Sequence, residues 1–375
     1  MRLLDLCDIK YGYAFDSKRF TDNPIYPPLV RIRDVKRGFS ETFYAGEYSK
    51  EYLLHKGDLL IGMDGEFNIA RWKSVDALLN QRVCKISAKK ETNEEYIRFA
   101  LSKKLKNIED KTSFVTVKHL SARELSTIEF TMPEYEKQRK IADILVSIEN
   151  IIEKKKQELE QLDTFVKSRF AEMFGNPLNG TAKYPIHQVG EVANSVDPQP
   201  SHRTPPVEED GVPYVSIKDC DYKTGKIDFE GARKVSPKVL EEHLNRYTLH
   251  EGDFVIGKIG TIGNPVFIPA RDDYTLSANI VLVQPNRELV SPYFLKYSFE
   301  SDFVERQFAE AKNSTSQAAF GIQKVRTVKV MNPDLDVQNK FENFVQQVDK
   351  LKSKIQKSLE ETQLLFDSLM QKYFG

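Results

Sequence analysis

Three consecutive side chains, Asn80, Gln81 and Arg82, carry forked donors and acceptors that match the edges of purine bases. Positive charges of the kind that neutralise phosphates lie on either side of them. Arg31, Arg33, Lys36 and Arg37 share one short stretch, Arg71 and Lys73 flank Trp72, and Lys118 follows further on. The second half offers a sparser set. His202 and Arg203 sit between Ser201 and Thr204 in a proline-rich loop, and Ser216 and Lys218 follow a short apolar run. Lys258 and Thr261 share a glycine-rich loop, Asn279 precedes another apolar run, and Ser316, Gln317 and Lys324 lie in or after the polar stretch Asn313–Gln317. Such residues could anchor a polyanion and read hydrogen-bonding patterns along it. A charge run is more often a solvated face, so no single residue here is diagnostic and only the set carries the hypothesis.

Catalytic arrangements are missing. An adenine-methylating pocket needs Asn or Asp, two prolines and an aromatic ring, and Asn176-Pro177-Leu178, Asp197-Pro198-Gln199-Pro200 and Asn264-Pro265-Val266 do not supply it. The Gly257–Gly263 loop lacks the Gly-Lys-Ser/Thr of a phosphate-binding loop, and no dinucleotide fingerprint follows a strand. Glu134-Tyr135-Glu136-Lys137 has the letters of a nuclease but opens a helix, and there is no Gly-x-Ser-x-Gly elbow. Cys7, Cys84 and Cys220 are far apart, no CxxC or HExxH occurs, and no catalytic residue or metal-ligand set is assigned. The odd cysteine count fits a reduced, cytoplasmic chain. No apolar run is long enough to span a membrane, so no membrane role is expected.

The elements that position these residues are written twice. Pro28–Asp34 resembles Pro213–Asp219 at an offset of 185, and Lys56–Gly62 resembles Glu251–Gly257 at 195. Leu79–Val83 faces Leu276–Ile280 at 197, and Pro133–Gly175 aligns without gaps to Pro333–Gly375 at 200. The order is kept and the offset only grows, as expected of a duplication with insertions in the second copy. Each copy opens with a mixed module. Val30, Ile32 and Asp34 alternate with Arg31 and Arg33, which predicts a half-buried strand. Gly57-Asp58 and Gly252-Asp253 predict tight turns feeding buried strands, and Glu94–Lys106 and Pro292–Lys312 predict helices.

Each copy closes with a long helix. In the first, heptad positions hold Ile141, Leu145, Ile148, Ile152, Leu159, Leu162, Val166 and Met173, interrupted by Lys155 and Arg169. In the second they hold Phe341, Val345, Val348, Ile355, Leu359, Phe366, Leu369 and Tyr373, interrupted by Lys352 and Thr362. Five heptads predict two rods that pair as a coiled coil. Ile144, Ile151, Phe165, Phe344, Leu351 and Leu365 widen the apolar stripe, which predicts burial against another chain. The expected fold class is α/β (mixed α+β). The expected organisation is module 1–132, helix 133–175, module 176–332 and helix 333–375. Formal net charge is zero, with +4 on residues 1–132, −2 on 176–332 and −1 on each helix, so binding to a polyanion needs focused patches.

These residues carry a family likeness. Leu4-Asp5-Leu6-Cys7-Asp8-Ile9 with Gly12 is answered by Gly190-Glu191-Val192-Ala193, and each half has a Gly-Asp-x-x-Ile-Gly element. Pro133/Gln138 and Pro333/Gln338 open the helices with Pro-x-x-x-x-Gln, and the order is module, helix, module, helix. The whole chain resembles the specificity (S) subunit of type I restriction–modification systems. The resemblance implies two target recognition domains, each reading half of a split, asymmetric site on double-stranded DNA. It implies antiparallel spacer helices with pseudo-twofold symmetry that set the distance between half-sites. It implies two methyltransferase (M) and two restriction/motor (R) subunits as partners. S-adenosylmethionine, ATP and Mg would serve those subunits, and none would bind this chain. Two other readings are a coiled-coil adaptor with two ligand-binding modules and a self-contained DNA-modifying enzyme.

Overall fold

A computed structural model describes residues 1–111, 119–258, 263–313 and 321–375. The chain divides into two compact units. One holds residues 1–156 with 357–375, and the other holds 157–356. Each unit takes one part of each long helix.

In the first unit a four-stranded antiparallel sheet runs in the order Cys7–Tyr11, Val83–Ala88, Leu59–Gly62, Ile69–Arg71. A smaller sheet pairs Leu29–Val30 in parallel with Ala77–Leu79, whose other edge takes Leu53–Leu54. The second unit repeats this plan. Its main sheet runs Ala193–Val196, Ile280–Pro285, Phe254–Gly257, Val266–Phe267, and Val212–Val215 pairs in parallel with Thr275–Leu276. The two Gly-Asp turns explain why corresponding strands start where they do. Gly57 and Gly252 have φ of +97° and +86°, a left-handed region that favours glycine. The following carboxylates close the turns, Asp58 accepting the His55 N–H at 2.8 Å and Asp253 the His250 N–H at 2.9 Å. Leu59–Gly62 and Phe254–Gly257, which follow, are buried throughout.

Two expected elements differ. The alternation from Val30 to Asp34 is not a strand: the strand ends at Val30 and a helix runs Ile32–Arg37. Asp34, fully buried, accepts the Arg31 N–H at 2.9 Å and so caps that helix. Asp219 does the same in the second unit, accepting the Ser216 N–H at 2.8 Å and the Ser216 hydroxyl at 2.7 Å. The repeated aspartate is therefore a cap, and its spacing from Val30 only imitates a period of two. The segment Pro292–Lys312 is two helices, Pro292–Phe299 and Asp302–Asn313. The Ser298 hydroxyl donates to Phe294 O at 2.9 Å and that of Ser301 to Ser298 O at 2.6 Å. Such local bonds compete with the helical ladder at the break.

The long helices span Tyr135–Phe174 and Leu335–Phe374. At about 1.5 Å per residue each is roughly 60 Å long. In the first unit Ile141 and Leu145 share a core with Phe366, Leu369 and Tyr373 and with Leu59, Ile61, Ile97 and Leu101 of the module. In the second, Val166, Phe170 and Phe174 pack with Phe341, Val345 and Val348 against Phe254 and Phe294. In both units an early part of one helix meets a late part of the other, so the pair is antiparallel. Of the expected seam, Ile141, Leu145, Ile148, Ile152, Val166, Phe341, Val345 and Val348 are buried, while Leu159, Leu162, Ile355, Leu359 and Phe366 are half-buried.

One glutamine ties each module to its helix. Gln338 is fully buried. Its Oε1 accepts the Ser291 N–H at 2.7 Å and its Nε2 donates to Pro333 O at 2.7 Å, Asn332 Oδ1 at 3.1 Å and Leu289 O at 3.4 Å. Gln138 repeats this, accepting the Asn93 N–H at 2.9 Å and donating to Pro133 O at 2.9 Å. This is the physical content of the Pro-x-x-x-x-Gln motif.

Candidate nucleic-acid interface

In the first unit, loops leaving three strands meet at one end of the sheets. Gly12 N–H donates to Val83 O at 3.1 Å, Tyr13 N–H to Leu79 O at 2.9 Å and Met63 N–H to Arg82 O at 3.0 Å. The approach is close enough that a Cβ on Gly12 would lie 2.1 Å from Asn80 O. Residues 12–13, 63–64 and 80–82 are therefore neighbours. Asp64 is the hub: its carboxylate accepts from Arg82 Nη1 at 3.1 Å and from His119 Nδ1. Its side chain is 16% exposed, against 51% for Arg82 and 50% for His119, so a sunken carboxylate holds two exposed donor side chains in place. The helix Ile32–Arg37 starts beside Gly62, where a Cβ would meet an Ile32 methyl at 3.2 Å. That places exposed Arg31 and Arg33 at the same end, Arg33 donating to Thr42 Oγ1 at 3.1 Å. Lys36 pairs with Glu66 at 3.1 Å and Arg37 with Glu41 at 3.7 Å, both in exposed positions. Lys73, also exposed, lies across Gly38 at the end of that helix.

Other expected residues are occupied elsewhere. Arg71 donates to Gly57 O at 2.6 Å, to Glu94 at 2.8 Å and to Glu95. Glu95 also pairs with Arg98 at 2.5 Å, and Arg98 with Glu149 of the first long helix at 2.6 Å. Burial opposes ionisation of Glu95, but Arg98 and Arg71 outweigh it and hold the carboxyl below its usual range. Arg71 thus belongs to an internal ion chain that fastens module to helix. Trp72 is a core residue whose indole N–H donates to Val75 O at 2.6 Å. Asn80 is 9% exposed and its Oδ1 accepts the Gln81 N–H at 2.9 Å, so it shapes the turn that leaves Gln81 and Arg82 exposed.

The second unit builds its corresponding end differently. Lys258 is 5% exposed and its ammonium lies 2.7 Å from Asp197, so it forms a buried ion pair instead of a phosphate anchor. Its N–H donates to Asn279 O at 2.8 Å, and Asn279 Oδ1 accepts the Ser277 hydroxyl. Ser216 is buried as a cap, whereas Lys218 beside it is exposed. Ser201, His202, Arg203 and Thr204 are all exposed, with His202 at φ +52° and its Nε2 3.9 Å from Asp197. Lys324 is half-buried next to Arg326, whose Nη2 donates to Ser195 O at 3.1 Å. Lys118, Thr261, Ser316 and Gln317 lie outside the described residues.

Residue-type reasoning missed Asp64, His119, Asp197 and Gln199. Two of these are carboxylates, Asp64 and Asp197, and each lies against basic groups. Among the described residues no group of three or more His, Cys, Asp and Glu could hold a metal ion. The three cysteines are buried with free thiols, and burial pushes each up to about 12, far from a reactive thiolate.

Each unit carries a sheet of one plan tied to paired helices, and the sequence of the chain matches a known family model. The type I restriction modification DNA specificity domain covers residues 1–162 and 207–361. The chain belongs to this family. It is a specificity subunit, a DNA-recognition chain without chemistry of its own. The EcoBI specificity subunit of Escherichia coli is 25% identical, over 98% of this chain and 84% of that one. The MjaVIII specificity subunit of Methanocaldococcus jannaschii is 20% identical, over 87% and 80%. The S subunit of the type I system of M. genitalium has the same fold at TM-score 0.60 and 15% identity, over 100% of this chain and 95% of that one. A chain from a structural study of type I complex assembly and conformational transition gives TM-score 0.51 at 16% identity, over 100% and 96%. Neither the adaptor reading nor the self-contained enzyme finds support.

Proposed function

We propose that each unit reads one half of a split DNA site through the end of its sheets where the exposed donors collect. The observation that carries this is the convergence of Arg31, Arg33, Gln81, Arg82 and His119 from separate elements onto one end of the first unit. In the second unit the corresponding readers are Ser201, His202, Arg203 and Lys218. Arg31, Arg33, Lys36 and Lys218 act as phosphate anchors, and Gln81, Arg82 and Arg203 act at base edges. Unlike residues in the two units imply unlike half-sites, so the target is asymmetric. Recognition segments 1–132 and 176–332, with the helices 133–175 and 333–375 as spacers, are the functional division of the chain.

The partners are two M subunits and two R subunits. Exposed Ile144 and Ile151 on the first unit, and Phe165 and Leu351 on the second, are the apolar surface on which an M subunit docks. S-adenosylmethionine, ATP and Mg act on those subunits. No helix among the described residues is long and apolar enough to cross a membrane, in keeping with a cytoplasmic assembly. Substituting Arg82→Ala tests the assignment: it should relax one half of the methylated motif and leave the other half unchanged. Relaxation of both halves, or of neither, counts against it.

A further inference from the structure

A buried polar relay runs from the core of the second unit to its exposed loop. His243 is 1% exposed, on the helix Pro237–Leu244. Its Nε2 lies 2.6 Å from Gln199 Oε1, and its Nδ1 meets the Thr275 hydroxyl. Thr275 Oγ1 is 3.0 Å from the Tyr247 hydroxyl, which accepts the Leu276 N–H at 3.4 Å. The Gln199 amide nitrogen donates outward, to Ser201 Oγ at 2.9 Å and to Arg203 O at 3.1 Å. Because that nitrogen donates, Gln199 Oε1 is the acceptor for His243. The imidazole therefore carries its proton on Nε2 and accepts the threonine hydroxyl at Nδ1. Every donor in the relay has an acceptor.

The first unit holds the same place by other means. Tyr13 lies six residues into the segment that opens with Cys7, as Gln199 does from Ala193. Tyr13 packs directly on Tyr52 with ring centroids 5.1 Å apart, and Tyr52 lies five residues before its Gly-Asp turn as Tyr247 does, with no histidine between them. Rings in tilted contact can slide. A relay of directed hydrogen bonds fixes both distance and angle. A histidine that only satisfied the core would end its bonds there. This one continues through Gln199 to the backbone of Arg203.

We propose that Gln199 and His243 are positioning residues that set the orientation of Ser201, His202 and Arg203, and so determine sequence discrimination in the second half-site; this rests on the interface proposed above. The relay keeps the loop pre-organised, so that the cost of ordering it is not met at binding. The charged groups around His243 are Arg246, whose Nη1 donates to Pro198 O at 3.3 Å, and Glu242.

The test uses the full chain assembled with its methyltransferase subunits. Discrimination against single-base changes is measured in each half-site, together with the salt dependence of binding and the melting temperature. Gln199→Leu keeps the volume, is half-exposed, and removes every relay bond outward. It should lower second-half discrimination about tenfold, leave the first half unchanged, and leave the salt slope unchanged. His243→Gln, which keeps a neutral acceptor and donor, should restore most of the discrimination lost in His243→Leu. If Arg203→Ala lowers second-half discrimination and Gln199→Leu does not, the relay is merely structural and the inference fails. If both variants are silent, the interface proposed for this unit is wrong and the relay's role falls with it.

Discussion

Replacing Gln338 by leucine removes four hydrogen bonds at nearly constant volume. The Ser291 N–H loses its acceptor at 2.7 Å, and the carbonyl of Pro333 loses its donor at 2.7 Å, both in buried surroundings. A buried polar group left without a partner costs about 1–3 kcal/mol, and the added apolar contact returns about 1 kcal/mol. Two such groups at about 2 kcal/mol each, less that return, give an expected loss of about 3 kcal/mol, a large share of the roughly 5–15 kcal/mol that holds a domain folded. Urea unfolding of the full chain, followed by a probe in each unit, reads it directly. With a slope of about 2 kcal/mol per molar, the midpoint of the second unit should fall by about 1–2 M. Gln338→Glu keeps the acceptor for Ser291 but turns a buried carboxylate oxygen toward the Pro333 and Asn332 oxygens, and should cost more than leucine at neutral pH. Gln138→Leu should act in the same way on the first unit. A midpoint shift under about 0.3 M in Gln338→Leu would refute the reasoning, because the motif would then hold nothing together.

Burial lowers His243 from its ordinary value to about 4, with Arg246 adding to the effect. The unfolded chain binds this proton more readily, so the second unit loses stability as pH falls from about 6.5 to 4, by up to roughly 3 kcal/mol. Melting curves should show the slope in the native chain and not in His243→Gln. Removing Arg31 or Arg33 should each reduce the salt slope of DNA binding by about one and weaken all sequences alike, as measured by titration at several salt concentrations. Glu149→Gln breaks the last link of the Arg71–Glu95–Arg98 chain. With Glu149 46% exposed, the melting experiment should show a cost of only about 1 kcal/mol. Thiol reagents at pH 8 should leave Cys7, Cys84 and Cys220 unmodified until the chain unfolds.

The duplication was legible because both copies keep the same structural necessities: a left-handed glycine before a carboxylate, and a proline five residues ahead of a buried glutamine. The long helices were legible from heptads alone. Asp34 was misread, since a cap three residues into a helix and an alternating strand place the same letters at the same spacing. Arg71 and Lys258 were assigned to an interface because charge in a sequence does not show its partner. Glu94, Glu95 and Asp197 lie 23, 24 and 61 positions away and meet these bases only in the folded units. The hub at Asp64 was unreadable for the same reason, since His119 reaches it from 55 positions on. Gln81, Arg82, Arg31, Arg33 and Arg203 stayed exposed, and these residues form the proposed reading surface.

The most direct measurement of the central claim is a methylation map. The chain is produced with its methyltransferase subunits, and the host DNA is sequenced for N6-methyladenine, with and without a replacement of residues 176–332 by another recognition segment. A split motif that depends on this chain, with one half changed and the other kept in the replaced form, is the predicted result. Methylation that does not depend on the chain, or a replacement that alters both halves together, would contradict it.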